Sequence, residues 1–269
     1  MTMVSLDDRT VLAVAGADAL AFLQGLITHD AALLAPGRSL FAGLLSPQGK
    51  ALFDFHLHAG DDDMMFIDVA AAKADALLKR LSMYKLRKAV TLARRDDLAV
   101  LAGWDDSAIA EKTPDARDPA LGARWIGAAS RIDADSAGYD VHRHAVGVPD
   151  SADIGSDELL WLETGADLLN GVSFTKGCYV GQENTARMHH RDKVRRRLVP
   201  ITIAGDPGDA VEVNDGDGRA AGKLRSRNGD HAIAHLRLEA AAGPLFLGAA
   251  PVTMRRPAWL APALAEPAA

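Results

Sequence analysis

The chain has 269 residues, 48% hydrophobic and 25% charged, the balance of an ordinary folded protein, which excludes wholesale disorder, a collagen-like repeat and a small disulfide scaffold. Thirty basic against 36 acidic side chains give a formal charge of −6, so wrapping nucleic acid phosphates is not its main business, although a local basic patch is compatible with that charge. Its one cysteine, Cys178, excludes an intrachain disulfide and any zinc or iron–sulfur site built from several thiolates of this chain.

At the N-terminus no basic stretch precedes an apolar run, and no segment approaches ~18 uninterrupted apolar residues. With a lone thiol, this leads us to expect a protein of the reducing cytoplasm with no membrane partner. From Asp18 to Leu34 the residues Leu20, Leu23, Ile27 and Leu34 recur at helical spacing until Pro36-Gly37 stops the pattern, which predicts one amphipathic helix. The apolar runs LFAGLL and ALFDFHLH flank Ser46-Pro47-Gln48-Gly49-Lys50 and predict a hairpin. In its second strand Ala51, Phe53, Phe55 and Leu57 alternate with Leu52, Asp54, His56 and His58, so one face goes to a core and the other presents an acid and two imidazoles. A short strand, MMFIDV, precedes a helix carrying Leu77, Leu78, Leu81 and Tyr84, and further strands are expected at 88–93 and 98–104.

Residues 105–135 and 149–157 are polar and rich in Asp, Gly and Ala, and are expected to be surface connections. Beyond Leu198 short strand-like pieces alternate with Gly/Asp turns, which predicts a small β-barrel over 198–269, ending in a frayed Ala/Pro-rich tail. The elements before it lack a βαβ rhythm, so residues 1–197 form an α+β region and not a doubly wound sheet. No Gly-rich phosphate loop follows any strand.

The chemistry concentrates between Gly171 and Leu198. Cys178 lies between Gly177 and Tyr179, with Lys176 before it and Gly181 after it, where the backbone can turn sharply and a neighbouring ammonium favours a thiolate. From Arg187 to Arg197 the chain carries Arg187, Arg191, Lys193, Arg195, Arg196 and Arg197, offset only by Asp192. Such a patch can hold anionic carboxylates or contact tRNA or an acidic protein, and the lack of interleaved aromatics weighs against direct RNA recognition. Three histidine pairs, His56/His58, His142/His144 and His189/His190, have no third ligand at a recognisable zinc spacing, so no metal site is assigned. A thiol hydrolase using Cys178 with His189 or His190 as base lacks any residue to orient that base.

The run Lys176-Gly177-Cys178-Tyr179-Val180-Gly181-Gln182-Glu183, preceded by Asn170 to Phe174 and followed by Ala186-Arg187, resembles the signature of the YgfZ family of folate-binding proteins. Phe22 to Gly25 with Thr28 and Asp30, Leu45 to Asp54, Tyr84 to Arg87, Arg143 with Gly147 to Pro149, and Leu162-Glu163 extend the resemblance over most of the chain. It implies a relative of the glycine cleavage aminomethyltransferase (T-protein): folate-binding α+β halves around a central opening, plus a C-terminal β-barrel. It further implies tetrahydrofolate as cofactor and iron–sulfur enzymes, including tRNA-thiolating ones, or cluster-assembly proteins as partners, with tRNA itself met only indirectly. Carried over residue by residue, Cys178 and Lys176 match the family hallmark, and Glu163 matches the position that binds the pterin ring. Tyr179, Gln182, Glu183 and Arg187 complete the implied folate site. Asp54 is the survivor of a pair of aspartates found in the transferases, here Phe53-Asp54, so it is the candidate reacting carboxylate while folate binding without turnover is favoured. A folate-dependent aminomethyltransferase or demethylase is the alternative.

Overall fold

The computed structural model describes residues 2–61, 64–105, 111–129, 136–190 and 194–265. In chain order the first part runs β1 (Thr2–Ser5), β2 (Arg9–Ala15), α1 (Ala19–Gln24), β3 (Leu40–Leu45), β4 (Ala51–Ala59), β5 (Met65–Ala70), α2 (Ala71–Lys85), β6 (Thr91–Arg94), β7 (Leu98–Trp104), β8 (Ala123–Ala128), α3 (Ala137–Val146), α4 (Ser151–Ile154) and α5 (Gln182–His190). The C-terminal part holds β9 (Arg196–Ile203), β10 (Glu212–Asp215), β11 (Ala220–Asn228), β12 (His231–Arg237), β13 (Leu245–Leu247), β14 (Ala250–Met254) and α6 (Ala261–Ala265). The result is an α+β fold with a closed C-terminal barrel.

Five antiparallel strands form one sheet in the order β3-β4-β5-β2-β6, and β1-β7-β8 form a second. The hairpin at Ser46–Lys50 sets the register, with Asp54 opposite Gly43 and His56 between Phe41 and Asp68. On one face of the larger sheet Phe55, Leu57, Ile67 and Val69 pack under Ala74, Leu77 and Leu81 of α2 and Phe22 and Leu23 of α1. These α2 positions share one helical face, which is why the helix lies flat on the sheet. The barrel closes in the order β10-β11-β12-β9-β14-β13, and Val199, Ile201, Ala232, Ala234 and Val252 fill it.

Two expectations are corrected here. The helix expected over Asp18–Leu34 is α1 alone, six residues long, because the chain turns at Gly25 and Ile27 then bridges to Leu44 of β3. The apolar spacing reflects two separate contacts with one core, and Leu20, assigned to the buried stripe, is 48% exposed. The segments expected as surface connections, 105–135 and 149–157, contain β8, α4 and the buried side chains of Asp115, Arg117, Arg124, Ser151 and Asp153. Their polarity is that of a buried ionic interior. Residues 106–110 and 130–135 of the first connection lie outside the described residues.

Candidate functional site

Cys178 is exposed on the loop that joins a 3-10 turn, Trp161–Thr164, to α5. That loop is tied down at both ends. At its start the Gly171 carbonyl accepts from Thr28 Oγ1 (2.7 Å) and from Trp161 Nε1 (3.0 Å), and the Ser173 amide donates to the Thr28 carbonyl. Trp161 is fully buried, and its ring takes the space a Cβ at Gly43 would occupy. At the other end Gly181, with φ +83°, rests on the β3–β4 hairpin so closely that a Cβ would sit 2.6 Å from the Ser46 carbonyl. Asn184 of α5 donates to the Gln48 carbonyl. Phe174 stacks flat on His189, ring centroids 3.6 Å apart, which folds the loop against α5.

Lys176 holds the middle. Its ammonium donates to the carbonyls of Ile27 (2.8 Å) and His29 (2.7 Å) and lies 5.3 Å from the centre of the Tyr179 ring. Burial lowers its pKa to about 8. Because the amine is engaged by the segment that follows α1, Lys176 ties the loop to that segment. Tyr179 is buried, its phenol pushed up to about 12 by burial. Gln182 opens α5 with its amide on the Tyr179 carbonyl, Glu183 is exposed in the first turn, and Arg187 is exposed and donates to Asn184 Oδ1 (2.6 Å).

Glu163 sits in the 3-10 turn below this loop, where Oε2 accepts from the Leu160 amide (3.2 Å) and His235 of β12 approaches to 3.8 Å. Partial burial raises its pKa. The basic stretch divides. Arg195 and Arg196 are exposed, but Arg197 is buried, paired with both oxygens of Asp167 (2.6 and 2.9 Å) and donating to the Leu162 carbonyl. Arg197 therefore clamps the barrel to the turn that carries Glu163 and is not offered to an anionic ligand or partner as part of the basic patch. Arg191 and Lys193 lie outside the described residues.

Asp54 lies elsewhere. It is 1% exposed, accepts from Ser151 Oγ (2.5 Å) and is 3.4 Å from Lys73 Nζ. On the polar face of β4 His58, near the strand's end, lines a concavity of about 440 Å³, whereas Asp54 and His56 are covered by Ser151 of α4 and by Asp115. There Arg9 and Arg124 both donate to Asp68 (2.7 and 2.6 Å), and Arg117 pairs with Asp115 (2.9 Å) and approaches Asp150 (3.7 Å). Four cations, counting Lys73, thus meet four carboxylates in the interior, and the arginines hold Asp68, Asp115 and Asp150 well below the usual carboxylate range. Burial pushes His56 down to about 4 and His58 to about 3, so both rings are neutral at pH 7. Asp54, the candidate reacting carboxylate, is thus enclosed and paired, joining β4 to Ser151 of α4 and Lys73 of α2. The sequence does not reveal Arg9, Asp68, Asp115, Arg117 and Arg124 as one group because, apart from the neighbouring pair Asp115 and Arg117, the partners come from segments up to 142 residues apart. The pair His142/His144 lies on α3, where His142 stacks on Trp104 and His144 is bonded to Ser226.

Residues 195–262 match the family model of the CAF17 C-terminal β-barrel domain. The mitochondrial iron–sulfur cluster assembly factor IBA57 of Mus musculus is 32% identical over 91% of this chain and 80% of its own length. The Homo sapiens protein of the same name is 33% identical over 91% and 80%. The crystal structure of the glycine cleavage system aminomethyltransferase T from Bartonella henselae superposes with a TM-score of 0.75 over 96% of this chain and 85% of that one, at 15% identity, so the fold is that of the aminomethyltransferase. The cytoplasmic location expected above is overturned by relatives that are named as mitochondrial proteins: a lone thiol marks any reducing compartment and does not single out the cytoplasm. These relatives bear the name IBA57 and not YgfZ, so the expected resemblance holds for the wider group and not for YgfZ itself. By that extent of identity the chain belongs to the family of the iron–sulfur cluster assembly factor IBA57.

Proposed function

We propose that the protein is an accessory factor in the maturation of iron–sulfur proteins, with the Cys178 thiol as its reacting group. The observation that carries this reading is an exposed thiol, the chain's one cysteine, on a loop anchored at both ends. A cluster draws several thiolates, so one cysteine cannot hold it within one chain. It can complete the ligand set of a cluster whose other ligands a partner supplies, or act as a nucleophile toward sulfur. The IBA57 relatives are cluster assembly factors by name, which supports the same role here. The partners are then cluster-assembly proteins and iron–sulfur enzymes, tRNA-thiolating enzymes among them.

Reduced folate is the proposed cofactor, and one carboxylate fits it. Glu163 uses Oε2 for the Leu160 amide, which leaves Oε1 to accept from an amino-pyrimidinone edge, with the exposed Arg196 near enough to act on its charge. Tetrahydrofolate, when bound, supplies a one-carbon carrier. The enclosed Asp54 does not fit a role in moving that carbon, so binding without turnover is favoured over aminomethyl transfer.

The test is Cys178→Ser. The variant should fold as the parent does, since one exposed atom changes, and both should purify as colourless, metal-free protein. In cells lacking the native factor the parent should restore the activity of iron–sulfur tRNA-thiolating enzymes and the variant should not. Full rescue by Cys178→Ser would remove the thiol from the function.

A further inference from the structure

The ten residues from Lys79 to Lys88 carry five cations, Lys79, Arg80, Lys85, Arg87 and Lys88, and no acid, in a protein of charge −6. They form the last turns of α2 and the loop after it. Among the described residues no carboxylate pairs with any of the five; Arg80 lies over the Tyr84 ring. At the tip stand two apolar side chains that the core does not use: Leu86, 86% exposed, and Met83, 64% exposed.

The backbone holds Leu86 in this place against its own preference. Leu86 has φ +47°, a left-handed conformation that branched side chains avoid and glycine adopts freely. The turn is rigid on its far side. The Ala89 amide donates to Asp18 Oδ2 (2.7 Å), the Asp18 amide donates back to the Ala89 carbonyl, and Gly16, φ +114°, lets that carbonyl approach to where a Cβ would be. Beside Leu86, a concavity of about 510 Å³ is bounded by Asp18, Arg87 and Lys88. A strained, bulky and exposed residue on a fixed turn is an element whose placement folding does not require.

We propose that this tip is a docking surface for an acidic protein, with Leu86 as the anchor in an apolar socket of the partner and Lys79, Lys85, Arg87 and Lys88 as the charges that steer it. The unpaired cations call for an anionic partner. The chemistry of the tip selects a protein among anionic partners: Leu and Met fill apolar sockets, whereas single-stranded nucleic acid is gripped by aromatic rings, and Tyr84, the one aromatic side chain here, is covered by Arg80. The surface is set by α2 and does not depend on the role of Cys178.

The experiment places a photo-crosslinking benzoyl-phenylalanine at Met83 of the full chain in cells, with the same probe at Leu20, also exposed, as control. The cross-linked species is identified by mass, purified and titrated against the parent protein and variants. The expected species is a protein of net negative charge whose affinity falls with salt and falls at least about tenfold with Leu86→Ser and with the pair Arg87→Glu and Lys88→Glu. Leu86→Gly should raise the melting temperature, by relieving the backbone, while it lowers affinity to the same degree, which separates docking from folding. Cross-links to RNA or lipid alone, a yield at Met83 no greater than at Leu20, or a captured protein bound equally by Leu86→Gly would overturn the proposal.

Discussion

Asp68→Asn removes one negative charge from the centre of the buried network and leaves shape and volume almost unchanged. Asp68 is fully buried and accepts from Arg9 Nε at 2.7 Å and Arg124 Nε at 2.6 Å, while Arg124 itself is 0% exposed. An amide oxygen accepts only one of these bonds well, and two buried guanidinium groups lose their principal counter-charge. Breaking a buried ion pair from one side costs about 3–5 kcal/mol, since the remaining charge stays desolvated and unpaired. At roughly 2 °C per kcal/mol for a chain of this size, the melting temperature should fall by about 6–10 °C. Urea unfolding followed by tryptophan fluorescence, with calorimetry alongside, measures both quantities. Arg219→Ala, which breaks an exposed pair with Asp217, is the control and should cost under ~1 kcal/mol. A loss below ~1 kcal/mol for Asp68→Asn would refute the view that this network joins the two sheets as one charge-balanced unit.

Acid should destabilise the protein before its carboxylates titrate. Folded-state pKa values of about 4 for His56 and about 3 for His58 lie below the ordinary 6.5, so the unfolded chain binds more protons in between. Stability is then intact above pH ~6.5 and lost as pH falls toward 4, by up to about 3 kcal/mol per ring, and a double variant His56→Gln, His58→Gln should flatten that slope in urea titrations across this window. Gly181→Ala forces a Cβ to within 2.6 Å of the Ser46 carbonyl at a positive φ, so it should cost about 1–3 kcal/mol and lift the Cys178 loop from its hairpin; hydrogen exchange of the Ser46–Lys50 amides would report this, and unchanged exchange would count against the anchoring. Glu163→Ala should weaken reduced-folate binding in calorimetry by about 1.5–3 kcal/mol, roughly ten- to hundredfold, and an unchanged affinity would remove Glu163 from the pterin site.

Local pattern carried much of this protein into view. The hairpin around Ser46–Lys50, α2 and the barrel were legible because period-2 alternation, helical spacing and Gly/Asp turns act over a few residues, and each element keeps its pattern when folded. The cysteine loop was legible for a different reason: its residues lie in one continuous run, so their types and order were visible together. Tertiary structure alone decided what charged side chains do. Whether Lys176 faces a sulfur or the carbonyls of Ile27 and His29, and whether Arg197 is solvated or clamped on Asp167, depends on partners from distant segments. The face of β4 shows the difference most plainly. Its alternation correctly sets Asp54, His56 and His58 apart from the apolar side, but polarity does not distinguish a face in water from one covered by a second set of charges. Asp115, Arg117 and Arg124 make that cover, with Arg9 beside it in the same sheet, and only the fold brings them there; a buried charge costs far less when its counter-charge is in contact, and contact is a property of three dimensions.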